Sequence, residues 1–128
     1  MFYFYLFVTG GLGVLARFVT VKSVQHLFPS IQFPIGTLTV NIIGSWLLGF
    51  LSWYLVVRYS HLAQIDALRV AILTGFLGGY TTFSAFSLEM VQFLQMGHIY
   101  KAFSYALMSV VVSVLACFAG LLIAKQWV

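Results

Sequence analysis

Polar residues are sparse along this chain, and where they gather they cut it into four long apolar stretches. The first covers residues 2–24 and gives way to a segment with His26, Pro29 and Pro34, prolines that a helix interior would disfavour. The second covers 36–57 and is closed by Arg58, Tyr59, Ser60 and His61. The third follows Asp66, covers 67–96 and ends at a Gly97-His98 turn. The fourth covers 100–124, with Lys125 and Trp127 placed as interfacial anchors. A membrane helix needs about 20 apolar residues. Each stretch therefore predicts one span, and the 128 residues (1–128) read as a single all-α transmembrane domain.

The polar groups inside these spans fall in a pattern. The third span carries Gly75-Phe76-Leu77-Gly78-Gly79-Tyr80-Thr81-Thr82-Phe83-Ser84, with its midpoint near Thr81. Three glycines and three hydroxyl residues are poor helix formers for so long a run. One reading is a helix broken near the bilayer centre, where freed backbone must be satisfied by something other than lipid. The other is close helix packing through small residues. Hydroxyls and glycines coincide at one depth, which favours the break. Thr37, Asn41 and Ser45 share a face of the second span at i, i+4, i+8, and Tyr105, Ser109 and Ser113 do so on the fourth. Hydroxyl stripes often serve only packing, but an amide in hydrocarbon needs partners or water, which makes Asn41 a functional candidate. Phe83 and Phe86 share a face, with core packing as the default among thirteen phenylalanines. Glu89 lies one turn beyond Phe86. It is the only acid well inside a span, so it either serves function or reaches interfacial water. Arg17, late in the first span, is expected to snorkel to the interface.

Composition adds what the pattern leaves open. Apolar residues are 62% of the chain and charged residues 6%, too few charges to give a soluble domain a polar exterior. The net charge of +4 is dispersed, so no basic patch offers itself to nucleic acid. The single Cys117 permits no intrachain disulfide and reads as a small hydrophobe. His26, His61 and His98 fall in predicted loops without metal-ligand spacing. The N-terminus lacks a charged n-region and a cleavage site, so it is expected to be retained in the mature protein. Four spans place both termini on one side, with Arg58, Arg69 and Lys125. Lys22, Lys101 and Arg17 fall on the other. Such near-equality leaves two readings: an orientation bias too weak for this count, or insertion both ways with antiparallel pairing. A chain this small favours an oligomer in either case.

Enzyme chemistry finds no support. Gly10-Gly11-Leu12-Gly13 lies inside an apolar span with no preceding strand or lysine partner, and no nucleophile–base set or paired carboxylates assemble at one depth.

Three stretches are similar to the CrcB/Fluc family of bacterial fluoride channels: Gly10–Arg17, Gly36–Ser45 and Gly75–Phe86. The likeness extends over essentially the whole chain. It implies an antiparallel, dual-topology homodimer in the bacterial inner (plasma) membrane, multi-pass, with two fluoride pathways. It further implies a structural sodium ion (Na+) at the dimer centre, held by the backbone carbonyls of Gly78 and Thr81. The resemblance places Asn41, Phe83, Phe86, Tyr105, Ser109 and Ser113 on the pathway, with Thr37 on the same face as Asn41. It sets Arg17 at an aqueous vestibule and leaves Glu89 as a possible pore end. One departure is Ala85, where the family usually has a hydroxyl residue. A pore for fluoride must replace tightly held water with close donors. The amide of Asn41, the hydroxyls of Tyr105, Ser109 and Ser113 and the positive ring edges of Phe83 and Phe86 are of that kind. The alternative from another class is a small four-helix proton-coupled multidrug exporter using Glu89.

Overall fold

The computed structural model describes residues 2–59 and 65–127, so Ser60 and His61 lie outside the described residues. All regular structure among them is helical. Helix α1 runs Phe2–Leu27 and α2 runs Ile35–Tyr59. The third span is composite: α3 (Ile65–Arg69), a π-helical segment (Val70–Leu77), α4 (Gly78–Tyr80) and, after two extended residues, α5 (Phe83–Gln95). Helix α6 runs Ile99–Trp127. Four helical units are long and apolar enough to cross a bilayer, the third counted as Asp66–Gln95. This is a multi-pass membrane protein.

Local chemistry sets the ends. Pro34 stands immediately before α2, where a missing N–H costs nothing, and its carbonyl accepts the Leu38 N–H at 3.1 Å. Gly97 has φ 74°, the left-handed conformation that glycine adopts without strain. It closes α5 in a Schellman motif: His98 N–H donates to the Phe93 carbonyl at 2.9 Å and Gly97 N–H to the Leu94 carbonyl at 3.0 Å. The helices continue beyond the spans expected from hydropathy. As a result His26, expected in a loop, occupies the last turn of α1.

Two backbone-to-backbone seams hold the bundle. Helix α2 packs along α6, and α1 packs along the π-helical segment and α4. A Cβ on Gly49 would fall on the Cys117 carbonyl, and one on Gly120 on the Trp46 carbonyl. Across the other seam, a Cβ on Gly13 would meet the Phe76 carbonyl, and one on Gly79 would lie 2.5 Å from the Gly10 carbonyl oxygen. In lipid no hydrophobic force drives helices together, so this close approach and its dispersion energy must do so. The apolar side chains of α1 and α6 point mostly outward, as a chain solvated by lipid requires.

Candidate functional site at the break

Of the two readings of the third span, both describe part of it. Gly75, Gly78 and Gly79 are helical, and Gly75 and Gly79 lie against α1, so they serve packing. The interruption is confined to Thr81 (ψ 161°) and Thr82 (φ −152°, ψ 121°). It is shorter than the ten-residue weak stretch suggests, because threonine tolerates extended backbone while Gly75 and Gly79 are fixed by the α1 seam.

Backbone polar groups at this interruption find protein partners. Thr81 N–H still bonds the Leu77 carbonyl at 3.0 Å. The Thr81 carbonyl accepts from Arg17 Nη1 at 3.0 Å. Thr82 N–H donates to Asn41 Oδ1 at 2.8 Å, and the Thr82 carbonyl accepts from Asn41 Nδ2 at 3.0 Å. Thr82 Oγ1 accepts the Ala85 N–H at 3.2 Å and so caps α5, the usual role of a threonine at a helix start. Arg17 was expected at the interface. It instead turns inward to the Thr81 carbonyl, because an unmet carbonyl at this depth attracts a guanidinium more strongly than the interface does.

Beside the break lies an open cavity of about 340 Å³, bordered by Asn41, Ser45, Phe83, Phe86, Ser109 and Ser113 among others. The two phenylalanine rings sit 5.4 Å apart, centre to centre. The oxygens of Ser109 and Ser113 are buried and have no hydrogen-bond partner among the described residues. An unmet buried hydroxyl in apolar surroundings is costly, so both are free to serve something that enters the cavity. Phe83 is 77% exposed, leaving most of its ring uncovered by its own chain.

Farther along α5, a second cluster ties three spans together. Thr37 on α2 donates to Glu89 Oε1 at 2.6 Å, and Tyr105 on α6 donates to Glu89 Oε2 at 2.6 Å. Both are short for O–H···O hydrogen bonds. Tyr105 is fully buried, with the Phe86 ring at 5.1 Å and the Phe33 ring edge-on at 5.2 Å. Glu89 is thus half-buried, with a hydroxyl donor on each of its carboxyl oxygens.

The candidate residues divide accordingly. Asn41, Phe83, Phe86, Ser109 and Ser113 meet at the cavity, while Thr37, Glu89 and Tyr105 form the neighbouring cluster, joined to it through Phe86. Arg17 belongs to the break itself, and Gly78 and Thr81 also border the cavity. Two contributors escaped the sequence reading. In the sequence Thr82 reads only as a weak helix former, although a threonine three residues before the next helical N–H it can cap is a recognisable start signal. Phe33 sits in a loop with no periodicity, so nothing marked it.

Comparison with known proteins follows the same lines. The family model described as "CrcB-like protein, Camphor Resistance (CrcB)" matches residues 4–121. A Coxiella burnetii (strain Dugway 5J108-111) protein named "Fluoride-specific ion channel FluC" is 41% identical over 121 residues, covering 94% of this chain and 95% of the relative. Proteins of that name from Campylobacter fetus subsp. fetus (strain 82-40) and Caulobacter sp. (strain K31) are 41% and 43% identical, covering 95% and 91% of this chain and 92% and 89% of their own. With four membrane-spanning helices, a broken third span and a match over nearly its whole length, the chain belongs to the CrcB-like family.

Proposed function

We propose that this protein is a fluoride-selective ion channel, not an enzyme, and that it lets cytoplasmic fluoride leave passively across the bacterial inner membrane. The observation that carries the reading is the cavity at the break, where two unpartnered buried hydroxyls, Ser109 and Ser113, stand with Phe83 and Phe86. Neutral donors and ring edges attract an anion, yet hold it weakly enough to release it. The ion's identity is taken from the relatives' name, "Fluoride-specific ion channel FluC".

The working unit is an antiparallel homodimer with two pathways. The exposed ring of Phe83 and the exposed Gly78 give a second copy something to cover. Sodium at the dimer centre suits the same backbone. Asn41 takes the Thr82 N–H that an unbroken helix would give to the Gly78 carbonyl, and Thr81 has left helical geometry. Gly78 and Thr81 would hold the ion through their carbonyl oxygens, the Thr81 oxygen sharing it with the half-buried Arg17 guanidinium, and the ion would add its positive charge to that of Arg17. Each chain offers two such oxygens, fewer than a hard cation takes, so a second copy must complete the set. Purification with a large organic cation replacing sodium is expected to loosen the dimer on size-exclusion chromatography.

The test is purified protein in liposomes, with fluoride efflux followed by an electrode and chloride efflux as the comparison. Fluoride should leave rapidly and chloride should not. Absent fluoride efflux, or chloride passing equally well, would refute the proposal. Glu89→Gln separates it from a proton-coupled exporter, since a channel keeps conducting and an exporter stops.

A further inference from the structure

The side chain of Asn41 is engaged on one residue. Its oxygen accepts the Thr82 N–H at 2.8 Å and its NH₂ group donates to the Thr82 carbonyl at 3.0 Å. The Thr82 N–H can only pair with an oxygen, so the network fixes the orientation of the amide. This is the double bond a neighbouring strand gives an extended residue, supplied here by a side chain of another helix. Without it, the Thr82 N–H would stand unmet in apolar surroundings, and its ready remedy is the helical bond to the Gly78 carbonyl. Recoiling there would move the start of α5, and with it the rings of Phe83 and Phe86 relative to Ser109 and Ser113. Arg17, on the Thr81 carbonyl, braces the same turn from α1.

We infer that Asn41 is a positioning residue: it splints Thr82 in the extended conformation, and its effect on permeation passes through the Thr82 peptide instead of through a bond to the ion. As far as it concerns permeation, this rests on the pathway proposed above. One Nδ2 hydrogen of Asn41 remains beyond the Thr82 bond, so a direct role and a splinting role make different predictions.

The experiment is a cycle on the full chain in liposomes. The Thr82 peptide nitrogen is replaced by an ester oxygen through the matching α-hydroxy acid, alone and with Asn41→Ala. The ester should slow fluoride efflux roughly tenfold, the scale of one lost buried hydrogen bond, and Asn41→Ala, which loses both bonds to Thr82, at least as much. The ester also makes the Thr81 carbonyl a weaker acceptor for Arg17, so the double variant should be slower than the slower single one by no more than that weakening, well short of the product of the two losses. A multiplicative loss of about a hundredfold, or an ester variant at full rate beside a slow Asn41→Ala, would make Asn41 a direct ligand and overturn the inference. A second readout needs no flux. With ¹³C=¹⁸O placed at Thr82, the carbonyl stretch should rise in Asn41→Ala as its donor is lost, and an unchanged band would refute the splint even if the ion runs elsewhere. Should Asn41→Ala not purify folded, Asn41→Ser is measured the same way, because its side chain is too short to bridge both Thr82 groups.

Discussion

Replacing Gly79 by alanine tests how packing supports the break. The added Cβ would lie 2.5 Å from the Gly10 carbonyl oxygen and 3.3 Å from both Gly10 C and Val14 N. These are backbone atoms in α1, so no rotamer change relieves them. Reaching 3.0 Å, the least that real Cβ atoms keep, requires about 0.5 Å of separation, and ordinary contact at 3.4 Å about 0.9 Å. Taken up rigidly, that opens the Arg17–Thr81 bond from 3.0 Å to about 3.5–3.9 Å, at or beyond the limit of a hydrogen bond. Overpacking costs about 1–3 kcal/mol and alanine's better helix propensity returns about 1 kcal/mol. A weakened bond from a charged donor adds up to about 1.5–3 kcal/mol, less whatever the flexible arginine stem recovers. The net expectation is about 1–3 kcal/mol of destabilisation, with slowed fluoride efflux. Equilibrium unfolding in mixed micelles measures the first and the liposome assay the second. Gly10→Ala is the control, since its Cβ meets only the Gly75 carbonyl at 3.8 Å. If the two variants unfold and conduct alike, the seam does not support the break.

Further outcomes follow from individual contacts. Tyr105→Phe and Thr37→Val each remove a hydroxyl donor from Glu89 and should each cost about 1.5–3 kcal/mol in the same unfolding assay, with the double variant deviating from additivity. Additive losses would mean the carboxylate does not couple them. Ser109→Ala should slow efflux while leaving stability unchanged or raised, because that buried hydroxyl meets no partner among the described residues. Lost stability with unchanged efflux would assign Ser109 to packing. Gly97→Ala should cost about 1–2 kcal/mol from its left-handed backbone and leave efflux intact, as a Cβ there meets nothing within 4 Å.

Much of this was legible in the sequence, for identifiable reasons. Lipid demands long apolar runs, so the four spans are visible to hydropathy alone, and the glycine and threonine cluster locates the break to within a turn. The two hydroxyl faces were visible through helical spacing, and they do converge, because α2 lies along α6. What spacing could not give was which polar group answers which. Asn41 reads as a lone amide, and its partner is a peptide group 41 residues away, a feature common to every residue and therefore unmarked. Arg17 has the same difficulty: snorkelling is the ordinary rule for a cation near a span end, and only the exposed Thr81 carbonyl reverses it. The glycines were ambiguous because a helix breaker and a close-packing residue are the same residue, and only α1's position separates the roles.

The order in which the ribosome makes these contacts has a consequence for insertion. The main-chain groups laid bare at Thr81 and Thr82 are met by Arg17, 64 residues earlier, and by Asn41, 41 residues earlier. Both partners have therefore been synthesised before the third span emerges. That span can enter the membrane against a waiting template for the open peptide groups of Thr81 and Thr82. Glu89 is different. Thr37 precedes it, but Tyr105 follows 16 residues later, so its carboxylate is completed only when the last helix arrives. The chain's final span thus finishes the polar interior that its earlier spans begin.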